Sequence, residues 1–146
     1  MALIDIGVNL THAAFDSDRS QVIERALTAG VSTLILTGTT VAESRAALEL
    51  ARQYPGTLYS TAGVHPHDVK DCQAQTLDQL RQLASHPEVV AIGECGLDFN
   101  RDYSPRPEQE SWFAAQLQLA CELNLPVFLH QRDAHPRFME ILRPYR

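Results

Sequence analysis

Short apolar runs alternate with longer amphipathic stretches along the whole chain. Five apolar runs predict strands, at Leu3–Leu10, Ser32–Gly38, Leu58–His65, Val89–Leu97 and Pro126–His130. The stretches between them carry apolar residues at helical spacing. Strict alternation of strands and helices predicts an α/β fold with a parallel sheet and right-handed crossovers. Two architectures fit this order, an open doubly wound sheet and part of a (β/α)₈ barrel.

Capping and stop signals predict where the helices begin and end. Asp18 is the expected N-cap of the first helix, and Thr40 and Thr76 each begin a Thr-x-x-Glu/Gln capping box. Pro107 suits the first position of a long fourth helix. The predicted helices cover residues 18–29, 40–54, a stretch from 76, residues 107–124 and a last amphipathic piece at 138–142.

Polar side chains collect where the predicted strands end. In both candidate folds the carboxyl ends of the strands carry the functional residues. The candidate site residues are Asp5, Asn9, His65, His67, Glu94, Asp98, His130 and Arg132. Several have ordinary structural explanations, and Asp98 could simply brace the loop before the next helix.

Glu94 and His130 are the candidates that are hardest to explain structurally. Glu94 follows the continuous apolar run of residues 89–92, as in a strand that is buried on both faces. A buried carboxylate without a partner costs several kcal/mol, so such groups are normally paired or bound to a metal. His130 ends the apolar run of the next strand. Carboxylate and imidazole together favour a site for Mg²⁺, Mn²⁺ or Zn²⁺.

Composition, charge and missing motifs exclude several classes of function. The chain has 146 residues, a net charge of −6 and one lysine, so a broad basic surface for nucleic acid is excluded. The last 21 residues differ, with four arginines against two acids. A nucleic-acid substrate would therefore need metal ions and a local arginine patch. Dinucleotide, P-loop and serine-hydrolase motifs are absent from the sequence.

Cysteine usage and hydropathy bear on the compartment. Three widely spaced cysteines without a Cys-x-x-Cys pair favour free thiols in a reducing cytoplasm. No apolar run approaches the roughly 20 residues of a membrane span, and the first residues lack the pattern of a signal peptide. The expected location is the cytoplasm, without a membrane partner.

Five segments resemble the TatD family of metal-dependent deoxyribonucleases. They are "IDIGVNLT", "ILTGTT", "STAGVHPHD", "VVAIGECGLDFNRD" and "PVFLHQRDAH", in this order and at these spacings. The resemblance covers essentially the whole chain, and its third and fourth segments are highly specific. It implies a TIM barrel of the metal-dependent hydrolase type, with a divalent-metal site at the mouth of the barrel.

The resemblance also implies roles for particular residues. Glu94 and His130 match the family's metal ligands on the fourth and fifth strands, and His65 matches a histidine that would contact the scissile phosphate. The family's first-strand Asp-x-His-x-His motif falls on residues 5–9, where glycine and asparagine replace the histidines. A full second metal site is therefore not expected, and Asn9 would be only a weak ligand.

The implied activity is metal-assisted hydrolysis of DNA phosphodiesters, as an exonuclease on single strands. Mg²⁺ is the first expectation for the ion, with Mn²⁺ and Zn²⁺ as alternatives. Arg132 could pair with a phosphate through its planar guanidinium. Two other functions stay open: an inactive fragment with a binding or assembly role, and a small-molecule amidohydrolase, since one fold supports many reactions.

The chain is too short for the complete barrel that the resemblance implies, because an intact barrel takes roughly 250 residues. Residues 1–146 are expected to form one domain, a partial TIM barrel with about five of eight βα units. The family's remaining metal ligand and its water-activating aspartate would lie beyond Arg146, so this chain is expected to be inactive or incomplete. Its first and fifth strands would leave open edges that promote self-association.

Overall fold

Five parallel strands form one sheet in the order β1-β2-β3-β4-β5 in this computed structural model, which describes residues 2–145. The strands are β1 (Leu3–Val8), β2 (Val31–Leu36), β3 (Leu58–Ala62), β4 (Val89–Asp98) and β5 (Val127–Arg132). All five predicted strands are confirmed, although the observed strands begin and end at somewhat different residues from the predicted ones. His65 lies beyond the end of β3, whereas β5 continues past His130.

Five helices connect and flank the strands. They are α1 (Arg19–Thr28), α2 (Val41–Gln53), α3 (Thr76–Ala84), α4 (Arg106–Leu123) and α5 (His135–Leu142). Short 3₁₀ turns lie at Ala13–Phe15, Val69–Asp71 and Arg143–Tyr145. Within residues 2–145, no helix combines the length and the apolar character needed to cross a membrane.

The predicted helix caps have mixed outcomes. The Thr40 hydroxyl accepts from the Glu43 N–H at 3.1 Å, as a capping box requires. The box at Thr76 is wrong, because Thr76 is already inside α3 and its hydroxyl accepts from the upstream Gln73 N–H at 2.9 Å. Asp18 precedes α1, but its side chain makes no capping bond. α4 begins at Arg106, one residue before the predicted Pro107.

The sheet separates an outer face under the helices from an inner, concave face. In β2, Leu34 and Leu36 are buried against residues of α1 and α2, whereas Ile35 points to the opposite side. The inner face encloses a cavity of about 330 Å³, and its curvature brings the Phe128 ring of β5 close to Gly7 of β1. The five βα units therefore form a half-barrel, as the sequence predicted.

β1 and β5 lie at the two edges of this sheet, and each pairs on one side only. The β1 edge is apolar and open: Leu3, Ile4 and Ile6 are 49%, 63% and 57% exposed. An exposed apolar strand edge offers unpaired backbone groups to other chains.

Two glycines allow β4 and β5 to approach closely beside the candidate site. Gly93 and Gly96 have φ angles of +134° and +149°, which side chains rarely tolerate. A Cβ atom on Gly93 would collide with the carbonyl of Phe128, and one on Gly96 with the carbonyl of His130. Because Glu94 lies between these glycines, the close approach sets the distance between Glu94 and His130.

Replacement of Gly96 by alanine tests this packing. We expect Gly96→Ala to lower the free energy of unfolding by roughly 1–3 kcal/mol or more, because the new methyl group must displace β5 backbone. Gly56→Ala is the matched control: it also has positive φ, +79°, but open space around it. Urea unfolding of both variants measures the difference, and equal losses would show that strand contact at Gly96 is unimportant.

Candidate metal centre

Three predicted residues converge at the carboxyl ends of β3, β4 and β5. His65, Glu94 and His130 each offer one ligand atom, and these atoms all lie within 4.8 Å of one another. His65 is buried, and the other two side chains are about one-fifth exposed. The described residues contain no other such group of three. Strand ends of a parallel sheet meet at one edge, which brings together residues far apart in sequence.

Asp98, at the end of β4, joins two histidines through one oxygen. Its Oδ2 lies 2.8 Å from His67 Nε2 and 3.1 Å from His130 Nε2. On the other side of the His130 ring, Nδ1 lies 3.2 Å from Glu94 Oε1. Both nitrogens of His130 therefore face carboxylates. Glu94 and Asp98 of β4 thus contact the same imidazole ring.

The second oxygen of Asp98 holds the following loop. Its Oδ1 accepts from the N–H groups of Asn100 and Arg101 at 3.1 and 2.8 Å. The carboxylate is 1% exposed, and four hydrogen bonds satisfy it. The predicted loop brace is thus confirmed, and the same carboxylate also contacts His67 and His130.

Hydrogen bonding distinguishes His65 from His130. His65 Nδ1 accepts from the His67 N–H at 3.1 Å, so this nitrogen carries no proton in the neutral ring. The ring proton must then be on Nε2. His65 consequently presents an N–H donor from its second nitrogen, whereas a protonated His130 donates from Nδ1 to Glu94 and from Nε2 to Asp98. A cation bound at Nδ1 would take the place of the Nδ1 proton.

The structure does not bring every candidate into this group. Asp5 and Asn9 are exposed on and just after β1, and neither belongs to the group of three. Arg132 lies opposite Asp98 in the β4–β5 register, with an exposed side chain that forms no ion pair with any residue from 2 to 145. Of the four C-terminal arginines, Arg146 lies outside the described residues and Arg137 is paired with acids of α4 and α5.

Sequence reasoning missed a buried support beneath the site. The Gln109 side chain accepts from the Asp98 N–H at 2.9 Å and donates to the Asp98 carbonyl at 3.1 Å. The spacing of Gln109 in the sequence could have predicted its burial, because it precedes Phe113 and Leu117 at helical spacing on the buried face of α4. A glutamine in an otherwise apolar stripe is a sign of a buried polar contact.

The electrostatics of the centre follow from these contacts. Burial, followed by the charge of His130, lowers the pKa of His65 to about 4. The hydrogen bond between Glu94 and His130 lowers the pKa of Glu94 and raises that of His130. Burial alone would raise the pKa of Asp98, but hydrogen bonds from Arg101, His67 and His130 outweigh it and lower that pKa. At neutral pH both carboxylates are charged and His65 is neutral.

His65 is therefore expected to titrate abnormally in metal-free protein. We predict an NMR titration midpoint near 4 for its ring, with the proton on Nε2. Unfolded His65 titrates near 6.5, so its contribution to the free energy of unfolding falls as the pH drops from about 6.5 to about 4. A midpoint near 6.5, or ¹⁵N shifts that place the proton on Nδ1, would contradict this assignment.

Curated relatives share this sequence over nearly its whole length. The chain is 57% identical over 143 residues to a "3'-5' ssDNA/RNA exonuclease TatD" of Shigella flexneri, and 56% identical to the protein of that name from Escherichia coli K12. Each match covers 98% of this chain and 55% of the relative. The chain thus spans about half the length of the curated relatives that it matches.

Solved structures agree with the half-barrel. A hydrolase TatD family protein from Entamoeba histolytica superposes with a TM-score of 0.90 at 30% identity, over 99% of this chain and 55% of that one. An uncharacterized amidohydrolase from Saccharomyces cerevisiae gives 0.85 at 30% identity, over 97% and 51%. The family model described as "TatD related DNase" matches residues 4–146. The chain therefore belongs to the TatD-related DNase family.

Proposed function

We propose that the protein containing this chain hydrolyses phosphodiester bonds of single-stranded nucleic acid with a divalent metal ion. The observation that carries the proposal is the contact of Glu94 with His130, backed by Asp98, at the strand ends of a TatD-family half-barrel. The names of the relatives support an exonuclease that acts on single-stranded DNA or RNA. Because the chain spans about half of those relatives, the activity is proposed for the whole protein.

The donor set fits a divalent cation. We assign Glu94 and His130 as the ligands, since the Asp98 bond at Nε2 leaves Nδ1 of His130 beside the Glu94 carboxylate. Carboxylate–histidine pairs behind a metal fix the ring and its tautomer in this way. A bound cation would supply Lewis-acid stabilisation of phosphate charge and would acidify water at the site.

Mg²⁺ remains the first choice for the ion. Mg²⁺ is commonly held by one or two carboxylates together with substrate phosphates, and Glu94 supplies one such carboxylate. Imidazole nitrogen also suits Zn²⁺, and carboxylate suits Mn²⁺, so these two ions are tested beside Mg²⁺.

His65 and Arg132 are assigned to the substrate. His65 is neutral and carries its proton on Nε2, so it would donate a hydrogen bond to a phosphate oxygen. Arg132 is an exposed cation beside His130, with a fork geometry that matches phosphate. Asp5 receives no ligand role, because it lies outside the group of three, and His67 receives none, because its Nε2 is bonded to Asp98. Asn9 is exposed just after β1 and stays the weak ligand that the resemblance implies.

The other functions considered from the sequence are less well supported. A small-molecule amidohydrolase shares the fold, but relatives with more than half of their aligned residues identical carry nuclease names. We also propose that residues 1–146 form a single domain, a truncated TatD-like barrel, and that the protein acts in the cytoplasm. The three cysteines are free, as a reducing compartment requires.

Glu94→Gln tests the metal assignment. It removes the charge and preserves the shape, so we expect the affinity for Mg²⁺ or Mn²⁺ to fall at least about tenfold. Isothermal titration of the purified chain measures this directly. Glu49→Gln on the exposed surface of α2 is the matched control and should leave the affinity unchanged. Equal affinity in wild type and Glu94→Gln would contradict the site.

Degradation of single-stranded DNA by the wild-type chain and the two variants, Glu94→Gln and Glu49→Gln, tests the proposed phosphodiester hydrolysis. Metal-dependent cleavage that disappears in Glu94→Gln would show that the half-barrel carries the chemistry. Metal binding without cleavage would assign the chemistry to residues of the whole protein that this chain does not contain.

The open β1 edge leads us to propose self-association of the isolated chain. Ile4→Lys places a charge on this edge and should reduce association in sedimentation equilibrium, because edge lysines oppose strand pairing. Leu27→Lys, at a position 42% exposed on α1, is the control and should have no effect. Monomeric sedimentation of the wild-type chain at high concentration would contradict the proposal.

A further inference from the structure

Tyr103 is a solvent-exposed aromatic side chain near the candidate metal centre. It is 50% exposed, and the other large apolar side chains with comparable exposure in residues 2–145 are aliphatic ones of β1 and α1. Tyr103 lies in the loop between β4 and α4, which leaves the carboxyl end of the sheet directly after Asp98. Nothing in the metal centre requires an aromatic ring at this place.

Aromatic contacts connect Tyr103 to the centre. Its ring packs edge-to-face on His67, with 4.8 Å between centroids. His67 in turn contacts His65 at 4.3 Å and is bonded to Asp98. One imidazole ring therefore separates Tyr103 from the group that we assign to the metal and the phosphate. A group bound on Tyr103 would belong to a nucleotide next to the scissile bond.

The loop that carries Tyr103 is fastened at both ends. Near its start Asp98 accepts from the N–H groups of Asn100 and Arg101, and Arg106 binds Asp102 with two hydrogen bonds of 2.9 and 2.8 Å. The buried Ser104 donates to the His67 carbonyl at 2.8 Å and accepts from the Lys70 N–H at 3.1 Å. Tyr103 is thus exposed without being loosely held, so a ligand would meet a preformed surface at little entropic cost.

Charge near the ring suits an anionic ligand. Arg101 donates to the Tyr103 hydroxyl at 2.9 Å, and its guanidinium carbon lies 5.7 Å from the ring centroid. Arg101 forms no ion pair with any described side chain, whereas the neighbouring Arg106 is occupied by Asp102. An unpaired arginine beside an exposed aromatic ring is a typical contact surface for single-stranded nucleic acid.

We propose that Tyr103 and Arg101 form a stacking subsite for a nucleobase of a single-stranded substrate. The proposal rests on the proposed function and adds the surface that selects single strands. A base can lie flat on Tyr103 only when it is unpaired and unstacked, and Arg101 is placed to meet the adjacent phosphate. In a chain of net charge −6, such a local subsite supplies affinity that the overall charge does not.

Tyr103→Ala tests the subsite by binding alone. A fluorescent oligodeoxynucleotide is titrated with the chain in the absence of divalent cations, so that cleavage cannot interfere. Base–aromatic stacking predicts a Kd about 5- to 100-fold higher for the variant. Tyr103→Phe retains the ring and should bind almost normally. Tyr103→Leu retains bulk without a π face and should bind as poorly as the alanine variant.

An oligonucleotide of equal length built from abasic residues separates stacking from structural damage. It retains the phosphates, so wild type and Tyr103→Ala should bind it equally. A loss for Tyr103→Ala of the same size on both oligonucleotides would overturn the subsite, because the effect would then come through the protein or the backbone contacts.

Two further outcomes distinguish this proposal from the proposed function. Normal binding of the ordinary oligonucleotide by both alanine and leucine variants overturns the subsite and leaves the nuclease proposal intact. Failure of the wild-type chain to bind any single-stranded oligonucleotide overturns the subsite and shows that any nucleic-acid binding of the whole protein depends on metal or on residues outside this chain.

Discussion

The buried carboxylate of Asp98 is the group on which the site depends. It accepts two hydrogen bonds from the loop backbone and two from histidine rings, so one side chain sets the orientation of His130, His67 and the segment that begins at Asn100. A buried carboxylate is tolerated only when its hydrogen bonds are complete, because each missing partner leaves desolvated charge. The orientation of the ligand histidine and the shape of the loop are therefore physically linked.

A second constraint is the distance between β4 and β5. Glu94 and His130 can face one another because Gly93 and Gly96 allow the β5 backbone to approach where any side chain would collide. The glycines and the glutamate between them thus act together, because the glycines allow the strand spacing at which Glu94 faces His130. The curvature of the sheet also contributes, because it brings the carboxyl ends of the strands close to one another.

The proposed contacts with nucleic acid are confined to a few side chains, since a net charge of −6 gives the protein no general attraction for phosphate. The side chains proposed to contact phosphate and base lie at the strand ends. His65 is kept neutral by burial, so it would act through its N–H and not through charge. Arg101 follows β4 and Arg132 lies opposite Asp98 in the β4–β5 register, and neither forms an ion pair with any residue from 2 to 145.

By itself, the sequence determined the order of strands and helices and the parallel sheet, and it predicted Glu94 and His130 as a metal pair, since apolar periodicity and an acid in a buried run are local properties. It could not determine which candidates meet, because His67 and Asp98 are 31 positions apart and Glu94 and His130 are 36. Their contacts depend on strand register and curvature, which periodicity does not encode. Only the tertiary structure left Asp5 out of the group of three, assigned the proton of His65 and placed Tyr103 against His67, since each outcome depends on contacts that form in three dimensions.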